Sequence, residues 1–480
     1  MRTVTAVLLV LLALPAQAAV LYVDASATGA GTGASWTDAY VSLQDALAAA
    51  QSGDEVWVAD GVYYPDQGAA QTEGRRASTF ALQNGVAVYG GFAGGEGSRD
   101  DRDPAANPAI LSGDLGAPGV TGDNAFHVVT ANGLGATAVL DGFTVRDGVA
   151  TGTGQSANGG GLHVRGTDPT SGPTLRRLVV RANRAVLGGG LYVSGSAPSV
   201  GDVVFEENAA VGGSGGGAYV EGGAVTFEGT VFRANQAQNG GGGLFAGGSR
   251  TVTIRSSRFE ANALSGFGGS GGGVSASAPV VVRDVAFVGN QAYSGGGAHL
   301  SGSADLRDVA FDSNRADFLG GAAQLSGSAR IDSGTFTGNV ASRGGAVHVG
   351  DPFADGVEAV LTRVVVLGNR ATDTGGAVYV GRATVTLLSA TVQANTADVS
   401  GGGVAVFDGL VEAVNTLVVG NTAGSGNGGG VAILRGTATL LSATVAGNST
   451  SGDGGGVFAA ETALIRNSVV GANEASGCWR

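Results

Sequence analysis

An asparagine recurs about every 26 residues from Asn183 to Asn473. The series has twelve members: Asn183, Asn208, Asn235, Asn262, Asn290, Asn314, Asn339, Asn369, Asn395, Asn421, Asn448 and Asn473. A valine or phenylalanine lies three positions before each asparagine, and a Gly-Gly pair follows all but the last. A period kept over twelve cycles is typical of a stacked repeat protein, in which each repeat contacts only its neighbours.

Each cycle contains short segments of alternating apolar residues. Leu191-Tyr192-Val193 and Ala218-Tyr219-Val220 follow Gly-Gly pairs, and further segments lead to the next asparagine. Segments this short, bounded by Gly, Ser and Asn, predict two or three β-strands per cycle, whereas a helical repeat needs longer 3.6-periodic segments. We therefore predict an all-β, single-stranded, right-handed parallel β-helix with an N-terminal capping helix, its hand taken from the general preference of parallel crossovers.

Stacking explains why the repeat is needed. One coil cannot bury its apolar side chains alone, but coils stacked about 4.8 Å apart enclose them in a continuous column. The asparagines are expected to form a ladder of amide hydrogen bonds at one corner and to adopt the left-handed backbone conformation there. Asn262→Ala is expected to cost roughly 1–2 kcal/mol. The Gly-Gly pairs are expected to supply positive φ and close approach between coils.

The sequence predicts four segments. Residues 1–18 have a basic start, an apolar stretch and a small-x-small end, which predicts a secretion signal. Residues 19–55 form a cap with an amphipathic helix over residues 40–52, whose Tyr40, Leu43, Leu47 and Ala50 share a face and which ends at Gly53. Residues 56–160 form irregular first coils, and residues 161–480 form regular coils that we expect to be truncated, because no capping helix follows Asn473.

In the irregular segment, strands are predicted at residues 56–58, 86–89, 126–129 and 143–145, with long polar loops at residues 66–78 and 94–108. Loops of this kind carry function more often than regular coils do.

Charge and cysteine content limit the partners. The net charge is −13 and lysine is absent, which argues against nucleic acid and anionic membranes. No run of apolar residues is long enough to predict a membrane-spanning helix. Cys478 is the single cysteine, so it is unpaired, bonded to a partner or the remnant of a longer chain. Carbohydrate or a host or cell-surface protein remains as the expected class of partner.

Two resemblances extend this interpretation. The Phe-x-x-Asn motifs between Phe205 and Asn339, interleaved with motifs such as Gly344-Gly345-Ala346-Val347, resemble the repeats of the polymorphic outer membrane proteins of chlamydiae and related bacterial proteins. That resemblance implies a surface-exposed passenger, often adhesive. The N-terminal stretch from Leu21-Tyr22-Val23-Asp24 through Trp36, with Gly61-Val62-Tyr63, resembles the opening of secreted bacterial β-helix proteins of the pectin-lyase-like superfamily.

One repeat position is rich in rings. His163, His299 and His348 occupy the position held elsewhere by Tyr192, Tyr219, Phe245, Tyr379 and Phe458. Each lies between two apolar residues that face the column, so this row is predicted to point outward. We take Tyr192, Tyr219, Phe245, His299, His348 and Tyr379 as candidate ligand-binding residues, forming a shallow aromatic ladder that stacks on sugar rings or a protein partner. The alternative is an ordinary outer face.

No catalytic or metal-binding residues are assigned from the sequence. A polysaccharide lyase needs an acidic metal site and a proton-abstracting base, and the sequence has neither Gly-His-Gly nor Asn-Thr-Asp. Asp100, Asp101 and Asp103 lie beside Arg99 and Arg102 and predict a solvated run of charges. No cofactor is expected, and calcium has only the acidic composition in its favour.

The leading functional hypothesis is therefore a non-catalytic adhesive or binding stalk, secreted or held at an outer-membrane surface. A polysaccharide-cleaving enzyme and a structural spacer without ligand are the alternatives.

Overall fold

The computed structural model describes residues 18–351 and 355–476. The predicted secretion signal, except for its last residue, and Cys478 lie outside these ranges. The chain winds into successive coils whose strands stack on four faces, which we name A, B, C and D in the order that the chain follows after a Gly-Gly pair. Strands on one face pair in parallel with the equivalent strands of the next coil. The predicted parallel β-helix is confirmed.

Face A carries the apolar-x-apolar segments. Its strands are Phe80–Ala81, Val129–Asn132, Leu162–Arg165, Leu191–Ser194, Ala218–Glu221, Leu244–Gly247, Val274–Ala276, Ala298–Leu300, Ala323–Leu325, Val347–Val349, Val378–Gly381, Val457–Ala459 and the first parts of Val404–Val414 and Val431–Leu441. Face B continues from it. Its strands are Val20–Val23, Glu55–Ala59, Ala87–Phe92, Val139–Asp141, Thr174–Arg176, Ser199–Gly201, Thr226–Glu228, Val357–Thr362, Ala383–Leu388, Thr462–Arg466 and the second parts of Val404–Val414 and Val431–Leu441.

Face C leads to the asparagine. Its strands are Gly61–Tyr63, Ala109–Ser112, Phe143–Arg146, Val179–Arg181, Val204–Glu206, Val231–Arg233, Val365–Leu367, Thr391–Gln393, Leu417–Val419, Thr444–Ala446 and Val469–Gly471. Four long strands run from face B into face C: Val252–Glu260, Val280–Val288, Ala304–Asp312 and Ala329–Thr337. Val404–Val414 and Val431–Leu441 run in the same way from face A into face B. These bends join faces A, B and C into one sheet of 39 strands within the described residues.

Face D follows the asparagine and is a separate sheet of 13 parallel strands within the described residues. Its strands are Val149–Ala150, Arg184–Ala185, Ala209–Ala210, Gln236–Ala237, Ala263–Leu264, Gln291–Ser294, Arg315–Leu319, Val340–Arg343, Arg370–Thr374, Thr396–Ala397, Thr422–Ala423, Ser449–Thr450 and Glu474–Ala475. Most of these strands have 2 residues, but four consecutive ones have 4 or 5. Face D is therefore broadest in the middle of the column.

All twelve asparagines of the series lie on one ladder, as predicted. In the first eleven, the side-chain Nδ2 donates to the Oδ1 of the next asparagine along the column at 2.9–3.1 Å. The same Nδ2 also donates backward: Asn262 bonds the carbonyl of Phe232, three residues before Asn235, at 2.9 Å. The Phe-x-x-Asn motif is thus a pair of contacts between neighbouring coils. Eleven of the twelve side chains are essentially inaccessible to water.

The phenylalanines of the motif form a second column inside the first. Six rings stack with centroids 4.5–5.1 Å apart and planes within 3–12° of parallel. The rings belong to Phe205, Phe232, Phe259, Phe287, Phe311 and Phe336, each 0–1% exposed. Since six successive coils place a ring at the same position of the repeat, the apolar core follows the period of the amide ladder.

The left-handed corner lies one residue earlier than predicted. The residue before each ladder asparagine has positive φ, as at Ala261 with φ 52°, and the ladder asparagines themselves do not. The asparagine keeps an extended backbone because its N–H must donate along the column, as Asn262 does to the Oδ1 of Asn290 at 3.1 Å. Alanine fills the strained position in several coils, so the hydrogen bonds outweigh a cost of about 1–2 kcal/mol per residue.

The two glycines of each pair have different roles, in agreement with the prediction. Gly295 has φ 62°, and a Cβ there would lie 2.4 Å from the carbonyl oxygen of Ala298. A Cβ on Gly296 would lie 2.4 Å from the carbonyl oxygen of Gly321 in the next coil. The first glycine permits the turn, and the second permits the coils to approach.

The N-terminal helix is shorter than predicted. It spans Leu43–Ala49 and not residues 40–52, because the Ser42 side chain caps it by accepting from the N–H of Gln44. Tyr40 instead bridges to the first strand in an extended conformation. The helix packs on the first strands of the column, with Leu43 and Leu47 buried. The strand predicted at residues 126–129 begins only at Val129.

The loop at residues 94–108 is fixed by charge and is not simply solvated. Arg102, whose side chain is 6% exposed, pairs with the 5% exposed carboxylate of Asp141 at 3.1 Å. Arg177 binds the same carboxylate through two nitrogens, at 2.8 and 2.6 Å. Arg99 pairs with Glu55 at 2.8 Å, and both Arg99 and Arg102 lie 4.9 Å from the ring centre of Tyr89. The predicted solvated run is found for Asp100, Asp101 and Asp103, which are exposed, and was wrong for Arg102, whose side chain is buried.

We expect Asn262→Ala to cost more than the sequence suggested. Removing the amide leaves the N–H of Asn235 and one hydrogen of its Nδ2 without an acceptor, and the carbonyl of Phe232 without the Asn262 donor. Three buried unpaired groups predict a loss of about 3 kcal/mol or more in the free energy of unfolding, measured by chemical denaturation. Asn239→Ala is the matched control, because that exposed amide makes one 3.3 Å hydrogen bond. Equal effects of both substitutions would contradict a structural ladder.

Asp141→Asn should destabilise the N-terminal coils. It leaves the buried guanidinium of Arg102 without a counter-charge, for which we expect a loss of about 3–5 kcal/mol. Asp202→Asn is the control, because Asp202 is 59% exposed and lies 3.5 Å from Arg176, a geometry worth at most about 1 kcal/mol. Urea denaturation measures both. A loss at Asp141 no larger than that at Asp202 would show that the pair does not hold the loop.

Candidate functional site

The candidate ligand-binding residues share one row on face A. Parallel register aligns His163, Tyr192, Tyr219, Phe245, Ser275, His299, Gln324, His348, Tyr379, Ala405, Ala432 and Phe458 in successive coils. Their neighbours within each strand, such as Leu191 and Val193, are 0% exposed and belong to the core. The predicted alignment is confirmed, and we name this set the face A row.

The first part of the row is a continuous stack of rings. The centroid distances are 4.6 Å from His127 to His163, 5.4 Å to Tyr192, 5.5 Å to Tyr219 and 4.8 Å to Phe245. Ser275 interrupts the stack, and one further pair follows, His348 on Tyr379 at 5.1 Å. The sequence did not indicate His127, because it precedes its strand and lies outside the repeat position. The stacked candidates therefore form two clusters on one face, and His299 lies between them with its Nε2 3.4 Å from the Ser326 hydroxyl.

The row is more enclosed than an ordinary outer face. His163, His348 and Tyr379 are 4%, 5% and 7% exposed, whereas Tyr192 and Tyr219 are half-buried. Stacking covers the faces of the rings, and the Gly-Gly turns fold back over their bases. A Cβ on Gly215, for example, would lie 2.8 Å from the Cβ of Tyr219. Half-buried rings keep accessible edges, but the most buried members serve chiefly to pack the coil.

Enclosure changes the chemistry of the histidines. Burial, reinforced by the neighbouring His127 and Arg165, lowers the pKa of His163 to about 3. Burial, reinforced by Arg343 and His299, lowers the pKa of His348 to about 3. His299 is similar, with its pKa lowered by burial to about 4. All three imidazoles are neutral at physiological pH, so the row carries no positive charge of its own.

A second line of rings runs along face D and its turns. Phe267 is 101% exposed, its ring centroid lies 5.7 Å from that of Tyr293, and Tyr293 lies 5.7 Å from Phe318. The guanidinium of Arg343 continues the line, 5.9 Å from the Phe318 ring and 5.8 Å from the Tyr379 ring. We name Phe267, Tyr293, Phe318 and Arg343 the aromatic track. It contributes one flat group from each of four successive coils.

The track borders two clefts. One, of about 310 Å³, lies beside Phe267 and Tyr293. The other, of about 270 Å³, lies where the track meets the face A row, between Phe318, Arg343, Tyr379 and the 45% exposed Phe407. A third cleft, of about 450 Å³, lies at the other end of the row beside His127 and His163. The track and the row thus meet at the cleft of about 270 Å³.

Sequence reasoning missed the track for a geometric reason. Phe267, Tyr293 and Phe318 follow their ladder asparagines by 5, 3 and 4 positions. Phe267 lies on a turn, whereas Tyr293 and Phe318 lie in the strands Gln291–Ser294 and Arg315–Leu319, whose pairing shifts register between Ala292 and Ser294. Residues that meet in space therefore fall at different places in the repeat. The available signal was three aromatic residues in three consecutive post-asparagine segments, where most other cycles have none.

The acidic residues do not converge on a common point. Asp100 and Asp101 lie in a short 3-10 turn, and Asp103 accepts hydrogen bonds from the N–H groups of Ala105 and Ala106. Within residues 18–351 and 355–476, no group of three or more His, Cys, Asp or Glu side chains is placed to hold a metal ion. Across the same ranges, no helix has the length and apolar character needed to cross a membrane.

Stability should fall as the pH falls below the ordinary pKa of histidine. An unfolded chain binds protons near pH 6.5, whereas folded His163 and His348 resist protonation down to about 3. The contribution of each histidine to the free energy of unfolding is therefore complete above about pH 6.5 and falls by about 1.4 kcal/mol for each pH unit below it. Denaturation at about pH 7 and pH 5 should show this slope. His348→Gln, which copies Gln324 of the same row, should flatten it, and an unchanged slope would contradict the assignment.

The comparisons with known proteins support the fold. Residues 160–351 match the family model described as "Right handed beta helix region", which covers less than half of the chain. No curated protein matches the chain. A solved structure titled "Crystal structure of pectate lyase Pel9A" is 12% identical, with 95% of this chain and 79% of that chain covered and a TM-score of 0.22. A TM-score this low supports no argument about activity. The column is thus a right-handed parallel β-helix, as predicted.

Proposed function

We propose that this chain is a rigid binding stalk, exported from the cell and displayed extracellularly or at an outer-membrane surface, which engages carbohydrate or a surface protein without chemical conversion. The observation that carries the proposal is the alignment of half-buried rings along one face, from Tyr192 through Tyr219 to Phe245. Aromatic rings with accessible edges combine a large apolar area with little conformational freedom, which suits recognition.

The surroundings of the row fit binding better than catalysis. The clefts beside it have walls of aromatic, histidine and arginine side chains, and no described group of carboxylates placed to hold a metal ion converges on them. The three buried imidazoles have pKa values of about 3 to 4, which makes them poor general bases at neutral pH. The amino-terminal segment with its signal-like pattern and the negative net charge support export and solubility.

Two substitutions of the half-buried tyrosines test the proposal. A Tyr192→Ser and Tyr219→Ser double variant should lose binding on an array of glycans and surface proteins, because the serine side chains remove the stacking area. The Tyr192→Phe and Tyr219→Phe variant should retain binding, since the rings remain. Tyr379 is unsuitable, because its 7% exposure makes Tyr379→Ser a test of stability.

Two outcomes would contradict this function. Unchanged binding by the double serine variant would remove the face A row as the site. Shortened oligosaccharides released from a bound polysaccharide, detected by product analysis, would identify an enzyme in place of a stalk. A wild-type chain that binds nothing on the array would favour a structural spacer.

A further inference from the structure

We infer that the aromatic track is a binding site for an uncharged, extended polysaccharide, with sugar rings stacked on Phe267, Tyr293 and Phe318 along the axis of the column. This inference rests on the proposed binding function and names a ligand class and site for it. The track contains none of the sequence-based candidates, and it approaches them where Arg343 lies 5.8 Å from the ring of Tyr379.

The exposure of the track argues for a ligand. Phe267 is fully exposed and Tyr293 and Phe318 are half-buried, so folding gains little from the first ring. The six phenylalanines of the core are 0–1% exposed, which shows how completely this chain buries a ring that serves packing. The fully exposed Phe267, which continues the line of Tyr293 and Phe318, is therefore not explained by stability.

The spacing of the track argues for an extended ligand. Consecutive centroids are 5.7 Å apart, because each ring comes from the next coil. The rise of one pyranose unit in an extended chain is similar to the rise of one coil. One face of a pyranose presents polarised C–H groups, which stack favourably on the negative face of an aromatic ring. A polysaccharide lying parallel to the axis would meet a ring at each unit, and the guanidinium plane of Arg343 would extend the platform.

The charges along the track argue for a neutral ligand. Arg315 lies 3.7 Å from Asp317, and Arg343 is bound by Asp373 at 2.9 Å. At the cleft beside Tyr379 and Phe407, Arg382 lies 3.5 Å from Asp408. Every arginine named here has an acidic partner, and the whole chain carries −13. An acidic polysaccharide would therefore meet net repulsion, while hydroxyl groups can hydrogen-bond to the outer atoms of these ion pairs.

Binding of defined oligosaccharides to the full chain tests the inference. The probes are short β-linked oligomers of glucose, mannose, xylose and N-acetylglucosamine, with oligogalacturonate as the acidic counterpart, measured by calorimetry. A Phe267→Ser variant should bind the preferred neutral oligomer about threefold to tenfold more weakly with an unchanged melting temperature, and adding Tyr293→Ser should weaken binding by about the same factor again. Affinity for the wild type should vary little with salt. Leu417→Ser is the control, because Leu417 is 45% exposed on face C, away from the track.

Each contrary result has a separate meaning. Full retention of binding by the track variant, together with loss in the Tyr192→Ser and Tyr219→Ser variant, would overturn the track and leave the stalk function intact. Preference for oligogalacturonate would overturn the neutral ligand. The inference would also be overturned if Leu417→Ser lost as much affinity as the track variant. Binding of deglycosylated proteins as tight as that of the preferred oligomer would overturn it too. A wild type that binds no oligosaccharide and no protein would remove both this inference and the proposed function.

Discussion

The asparagine ladder is the constraint on which the rest of this structure depends. Each amide joins three coils, because its Nδ2 donates both to the preceding coil's carbonyl and to the next coil's Oδ1. For Asn262 these partners are Phe232 and Asn290, both at 2.9 Å. A slip of one residue in any coil would break these bonds and would also turn the core phenylalanines outward. The ladder therefore fixes register, and register aligns every other row of side chains.

A fixed register explains which features the sequence predicted. The ladder, the Gly-Gly turns and the face A row all recur at constant positions in the repeat, so their alignment in space follows from spacing alone. The stack of six phenylalanines is an example, since the Phe-x-x-Asn spacing places each ring against the ring of the preceding coil. Interactions between equivalent residues of neighbouring coils are periodic, and a periodic interaction is visible in one sequence.

The features that the sequence did not predict depend on non-equivalent residues. The helix begins at Leu43 because Ser42 caps it, which no periodicity indicates. The pairing of Arg102 with Asp141 joins a loop to a coil 39 residues away, and no spacing in the sequence predicts it. The enclosure of Tyr379 likewise depends on its neighbours, since the row position shows the direction of the side chain and not what covers it. The aromatic track was missed because its rings lie on a turn and on two strands whose pairing shifts register.

The separation between periodic and variable parts has a consequence for function. A member of a buried row is constrained on both sides by its neighbours, so a change there disturbs the coil before it changes any surface. The turns after the asparagines are free of this constraint, and Phe267 lies on such a turn, fully exposed, five positions after the fully buried Asn262. A stack of this kind can hold a line of ligand-binding residues in fixed positions without any change in the packing of its core. We therefore expect differences in binding between β-helices of this type to arise in these turns, while the ladder and the ring stack stay the same.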